Sequence, residues 1–184
     1  MRNYKNFKIL NESIESIFKR IRTINEINGL MDLGVDINIK DENGKTLLFY
    51  FTDDYYSEEF EYIIKNYNPD INVKYKKGTL FTYCGEENKL FLLERPELKL
   101  NDYDLMRTIM FDNFEIIYKV LNKFDVNLDL KPKKAPLINL IITDLEEEFY
   151  QSKYNKLIRG LLKTKYKKYY DNYIKQQHIK NFNI

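Results

Sequence analysis

A chain of 184 residues has room for one ordinary core or one short repeat array, and is too short for two large domains. At 43% hydrophobic and 32% charged residues it can fold, while six Gly and four Pro leave no material for a long flexible linker. The single Cys excludes an internal disulfide, and the net charge of +2 hides an asymmetry: residues 151–184 hold nine Lys or Arg against Asp171 alone, a net +8, which leaves −6 for residues 1–150.

Met1 to Leu10 mixes Asn, Lys and Arg with isolated Phe7, Ile9 and Leu10, which is not a signal-peptide pattern. The apolar runs Leu47 to Phe51 and Leu140 to Ile142 are too short to span a bilayer, so a cytoplasmic protein without membrane contact is expected. Ile9 to Ile24 carries apolar residues at 10, 14, 17, 18 and 21, the stripe of a helix. Ile27, Leu30 and Met31 continue helical spacing up to Gly34, which can take the positive φ that closes a helix. Asp36-Ile37-Asn38 leads outward. Asp41, Asn43 and Gly44 then make a tight turn, and Thr46 can cap a helix beginning at Leu47.

The same order recurs downstream. Asp36-Ile37-Asn38 returns as Asp70-Ile71-Asn72 after the apolar set Phe60, Ile63 and Ile64. It returns more weakly as Lys99-Leu100-Asn101 after Leu90 to Leu93, and again as Asp125-Val126-Asn127 after Ile116, Ile117, Val120 and Leu121. The spacings are 34, 29 and 26 residues, which marks a stacked repeat with trimmed loops. The helix openings recur too, as Leu47-Leu48-Phe49-Tyr50, Thr79-Leu80-Phe81-Thr82, Asp104-Leu105-Met106-Arg107 and Ala135-Pro136-Leu137-Ile138. Asn155 to Lys163 and Tyr166 to Lys180 follow as helices, the latter with Tyr166, Tyr169, Tyr170, Tyr173 and Gln177 on one face.

This succession resembles the ankyrin repeat, in which a Gly-Ala-Asp-Val-Asn-like ending runs into Asp-x-x-Gly-x-Thr-Pro-Leu-His. Gly34 to Tyr50 is its best-preserved copy, and Asn113-Phe114-Glu115-Ile116-Ile117 is similar to the opening of the family's second helix. The resemblance implies an all-α fold, a short ankyrin-like solenoid of about five stacked helix-turn-helix repeats with helical end caps. Its repeats would run roughly over 9–38, 39–72, 73–101, 102–127 and 128–164, with a C-terminal capping helix over 165–181, all in one domain. The family's histidine is replaced by Phe49, Phe81, Met106 and Ile138, so bulkier apolar packing must stand in for its hydrogen bonds.

Catalytic chemistry has little to work with, and no catalytic residue, metal site or cofactor is expected. One Cys permits no thiolate-rich zinc site, and there is no Gly-rich phosphate loop. Cys84 aligns with a small buried position and is predicted to be a core thiol, and His178 to be solvated in a polar helix end. The acids Asp53, Asp54, Glu58, Glu59, Glu61 and Glu146-Glu147-Glu148 suit solvated helix faces.

The resemblance implies binding of another protein through turn tips and exposed first-helix positions, as by an inhibitor or immunity-type protein acting as a monomer. Those positions are Lys40, Glu42 and Asn43 at the first tip, Tyr75 and Lys76 at the second, Asp102 and Tyr103 at the third, and Lys133 and Lys134 at the fourth. On the first helices they are Tyr50, Thr82, Arg107 and Asn139, with Asp53, Asp54, Tyr55 and Tyr56 expected close by. The acidic body favours a partner with a basic surface. The alternative is a nucleic-acid binder using Lys163, Lys165, Tyr166, Lys167, Lys168 and Tyr170, which combine phosphate contacts with stacking surfaces. A capping helix that buries its tyrosines and solvates its lysines explains the same pattern, and is preferred.

Overall fold

A computed structural model describes residues 13–130, 136–146 and 153–182. The regular structure is almost entirely helical, and the described chain divides into two compact units, one ending at Leu100 and one beginning at Asn101.

The first unit opens with α1 (Ile14–Arg20) and α2 (Ile24–Asp32). The apolar stripe over Ile9 to Ile24 predicts one helix; the structure breaks it at Ile21, which is extended. Thr23 is the cause. Its hydroxyl accepts the Glu26 N–H while the Glu26 carboxylate accepts the Thr23 N–H, a capping box that starts a new helix. Residues 9–12 of that stripe lie outside the described residues. Gly34 takes φ +77 after α2 and Gly44 takes φ +82 in the following turn, as their places in the sequence require.

The helix expected from Leu47 is a 3-10 helix, Leu47–Phe51, and Thr46 stands at its cap position in extended conformation without a capping side-chain bond. Leu47, Leu48, Phe49 and Phe51 are all buried, so consecutive side chains, rather than one helical stripe, enter the core. A second short 3-10 turn, Asp54–Tyr56, leads into α3 (Ser57–Tyr67), whose end is Asn68 at φ +45 followed by Pro69. A two-stranded hairpin follows, β1 (Lys74–Tyr75) and β2 (Gly78–Thr79), antiparallel with Tyr75 opposite Gly78. It feeds α4 (Leu80–Tyr83) and α5 (Glu86–Leu93). Phe18, Ile27, Phe60, Ile63, Phe81 and Leu92 build the core, and Cys84 is buried in it as a free thiol whose ionisation burial pushes up.

Polar side chains tie successive segments of this unit together by the same pair of bonds. Asp36 Oδ1 accepts the Asn38 N–H at 2.9 Å, and Asn38 Oδ1 accepts the Asp70 N–H at 2.7 Å. One segment on, Asp70 Oδ1 accepts the Asn72 N–H at 2.8 Å and Asn72 Oδ1 accepts the Lys99 N–H at 2.7 Å. The next Asn in register, Asn101, turns its side chain to cap α6 (Asp102–Phe111), accepting the Tyr103 and Asp104 N–H groups.

The second unit comprises α6, α7 (Phe114–Lys123), α8 (Leu137–Glu146), α9 (Lys153–Lys163) and α10 (Lys167–Phe182). Asn113 caps α7 through the Ile116 N–H at 3.1 Å. α7 packs on α6 and α9, α6 also on α8, and α10 on α8 and α9. The predicted apolar set Ile116, Ile117, Val120 and Leu121 faces inward, joined by Leu105, Leu137, Ile158 and Leu162.

Candidate functional site

The turn between α2 and the first 3-10 helix is held by one carboxylate. Asp41 is only 6% exposed, and its Oδ1 accepts the N–H groups of Asn43 at 2.8 Å and Lys45 at 2.9 Å. Its Oδ2 accepts the Tyr50 hydroxyl at 2.5 Å. Burial raises the Tyr50 pKa, and the Asp41 carboxylate raises it further, so the phenol stays a donor and the turn stays closed. The Tyr50 ring stands edge-on to Phe18 at 5.7 Å.

Lys45 leaves this turn toward the hairpin. Its ammonium lies 5.8 Å from the centre of the Tyr50 ring and 5.0 Å from that of Tyr75, while Lys76 lies 5.3 Å from Tyr75. Tyr75 also meets Phe49 edge-on at 5.6 Å and Tyr83 at 5.3 Å, and the Tyr83 hydroxyl donates to the Tyr75 carbonyl at 3.1 Å. Lys76 takes φ +54, the left-handed backbone that a two-residue hairpin matched to strand twist needs at its first central position. The two turn tips thus form a single aromatic and lysine cluster. Sequence reasoning names Tyr50, Tyr75 and Lys76 in it but misses Lys45 and Tyr83; the pair of tyrosines flanking Lys76-Lys77-Gly78 is the signal that could have found the latter.

Other residues named from the sequence have structural partners. Glu42 accepts the Ile14 and Glu15 N–H groups, each at 3.2 Å, and so caps α1, while Lys40 and Asn43 are exposed. Asp53 accepts the Tyr55 N–H at 3.0 Å. Asp54 caps α5 across the chain, accepting the N–H groups of Glu86 at 2.8 Å and Glu87 at 3.1 Å. A Cβ on Gly85 would fall 2.3 Å from that carboxyl, which explains the glycine. The buried Asn88 completes the joint by donating to the Phe51 and Thr52 carbonyls at 3.2 Å. Tyr55 is 84% exposed and edge-on to Tyr56 at 5.0 Å, and Arg22 stands 5.9 Å over the Tyr56 ring. Asp53 to Tyr56 therefore gather with the connection between α4 and α5, whereas the tip cluster gathers Tyr50 with the hairpin.

Asp102 and Tyr103, expected at a turn tip, are helical: they form the first turn of α6 because Asn101 and Asp104 make a capping box. Arg107, one turn on, lays its guanidinium 4.3 Å over Phe111. Thr82 and Asn139 are half-buried, and Lys133 and Lys134 lie outside the described residues.

In the basic C-terminal stretch, Lys165 and Tyr166 meet the end of α7. The Lys165 ammonium donates to the carbonyls of Leu121 at 2.9 Å, Asn122 at 3.2 Å and Phe124 at 2.6 Å. Tyr166 is 2% exposed; its hydroxyl lies 2.9 and 2.8 Å from the Leu121 and Phe124 carbonyls and accepts the Val126 N–H at 3.3 Å. Burial pushes its pKa up to about 12. A cation and a hydroxyl at the carbonyl end of a helix satisfy orphan acceptors and oppose the macrodipole. Lys167 pairs with Asp171 at 2.7 Å, Tyr170 is half-buried, and Lys163 and Lys168 are exposed. The His178 side chain lies outside the described residues.

Among the described residues no group of three or more His, Cys, Asp or Glu is placed to hold a metal ion, and no helix is long and apolar enough to cross a membrane. No family model, curated protein or solved structure matches the chain.

Proposed function

We propose that this is an ankyrin-like repeat protein of about five units that acts without catalysis or cofactor, in the cytoplasm, by occupying a partner protein through the turn tips at 40–45 and 74–77. One observation carries the reading. The Asx ladder from Asp36 to Lys99 repeats the same two bonds one segment apart, as a stacked array with its turns at the edge requires. At that edge the aromatic anchors Tyr50 and Tyr75 are half-buried and Lys40, Asn43 and Lys76 exposed, a composition suited to contact residues.

The nucleic-acid reading loses two of its six residues to the cap on α7, since Lys165 and Tyr166 are held by backbone carbonyls. Affinity capture from the source cells with the wild-type chain and with the Lys40→Glu, Lys76→Glu variant tests the proposal. A protein retained by the wild type and lost from the variant is the expected result. Identical retention by both would remove the tips from the interaction.

A further inference from the structure

Resting on the protein-binding reading, we infer that the tip cluster of the first unit takes an acidic polypeptide segment, one rich in Asp and Glu. The chain-average charge of residues 1–150 points to a basic partner, and the local distribution reverses it. Glu15 of α1, paired with Lys19 at 2.6 Å, lies beside Asn43, and within the tips themselves Lys40, Lys45, Lys74, Lys76 and Lys77 accompany two acids, Asp41 and Glu42. Both acids are engaged by backbone: Asp41 inside its turn and Glu42 on the N–H groups of α1. What remains to meet a partner there is positive.

Other acids of this unit gather at helix starts. Asp53 caps the 3-10 turn before α3, and Glu58, Glu59, Glu86 and Glu87 lie in the first turns of α3 and α5, where the helix macrodipole favours negative charge. The starts of α3 and α5 thus carry acids, and the two turn tips carry lysines.

The geometry of the rings separates an acidic segment from a nucleic acid. Single-strand binders stack bases on free aromatic faces. Tyr75 carries two ammonium groups, at 5.0 and 5.3 Å, and is flanked by Phe49 and Tyr83. Its ring positions cations instead of offering a platform. The hydroxyls of Tyr50 and Tyr83 are committed to Asp41 and to the Tyr75 carbonyl, and the charged donors of the cluster are its ammonium groups. The tips contain lysine and no arginine, hence point charges without the fork that reads phosphate bidentately. Carboxylates on a flexible segment satisfy such charges without strict geometry, and the field steers their approach.

The test pans a display library of random peptides against the full chain, with counter-selection on the Lys40→Glu, Lys76→Glu variant. Fluorescence anisotropy with oligoglutamate and with single-stranded oligothymidylate follows. The expected result is enrichment of Asp- and Glu-rich peptides, and oligoglutamate binding that weakens about tenfold both in the variant and on raising salt across the physiological range. The neutral pair Lys40→Gln, Lys76→Gln should fall between, and unchanged circular dichroism spectra keep the effect apart from unfolding. Tip-dependent enrichment of basic or apolar peptides overturns the acidic class and leaves protein binding standing. No tip-dependent enrichment at all removes the protein-binding reading with it. Tighter binding of oligothymidylate than of oligoglutamate, lost with the same lysines, overturns the inference in favour of nucleic acid. Self-association of the chain lost in the same variant overturns it in favour of a second copy.

Discussion

Two of the tyrosine and lysine clusters among the described residues invite comparison, since nearly identical residue types meet opposite ends in them. In the second unit, Tyr166 is buried and Lys165 is clamped to the carbonyl end of α7, so ring and charge both complete the backbone of a neighbour. In the first unit, Tyr50, Tyr75 and Tyr83 are half-buried, and the ammonium groups of Lys45 and Lys76 stand over rings at turn tips. The difference is a free helix end within reach. Where orphan carbonyls are adjacent, a basic aromatic sequence becomes a cap; where they are not, the same sequence remains a surface.

The largest expected effect breaks this contrast if it fails. Tyr166→Ala should cost about 3–5 kcal/mol, the cost of emptying a buried aromatic site, plus the loss of partners at the end of α7. Tyr75→Ala, at a half-buried ring, should cost about 1 kcal/mol from lost ring contacts. Equal midpoints in urea unfolding would mean that the two clusters are alike after all.

Alkaline pH probes both clusters together. Cys84, Tyr50 and Tyr166 all have raised pKa values in the folded chain, against ordinary values of 9.0 for the thiol and 10.0 for the phenols. Above about pH 9 the unfolded chain therefore binds fewer protons than the folded one, and stability must fall as pH rises. Their contribution is intact below pH 9 and is lost through the folded pKa values, about 12 for Tyr166. The slope is at most about 1.4 kcal/mol per pH unit for each group, and least for Tyr50, whose ring is partly solvated. Denaturation midpoints that do not move between about pH 8 and pH 11 would contradict this, and Tyr166→Phe should flatten the curve.

Lysine substitutions give a smaller and sharper reading. Lys165→Met keeps the aliphatic stem but leaves three carbonyls without their cation, and should cost about 1 kcal/mol. Lys40→Met should leave stability within about 0.5 kcal/mol, as expected at an exposed position. A comparable loss in both would show that the lysines of the tips are also structural.

Local geometry was legible in the sequence, and long-range polar pairing was not. Gly34, Gly44 and the Asp41 turn follow from residue types alone, and the helical stripes of Ile116 to Leu121 and of Tyr166 to Gln177 follow from spacing. Periodicity reports which face is buried. It does not report which distant atom a polar group will find. Hence Asp54, placed by sequence among solvated acids, caps a helix 32 residues away, and Asn101, in register with Asn38 and Asn72, caps α6. The Thr23 to Glu26 capping box, which interrupts the apolar stripe over Ile9 to Ile24, is a local feature that the stripe alone does not reveal. At Leu47 to Phe51 four buried residues among five consecutive positions gave no period to read, and the chain took the tighter 3-10 form.

The smallest expected effect divides the clusters by sign. Lys76 holds φ +54 between Tyr75 and Gly78, a conformation that costs a side-chain-bearing residue about 1–2 kcal/mol and glycine almost nothing. Lys76→Gly relieves that strain but enlarges the freedom of the unfolded chain, so a net gain of about 0.5 kcal/mol is expected in urea unfolding. The same change removes the ammonium from the Tyr75 ring, and with it part of the charge presented to an acidic segment. Stability should rise while oligoglutamate affinity falls. No substitution of Lys165 can do this, because there the ammonium contributes to the fold itself. A destabilised Lys76→Gly chain would place Lys76 in the same class as Lys165, and the distinction between a surface and a cap would fail at its weakest member.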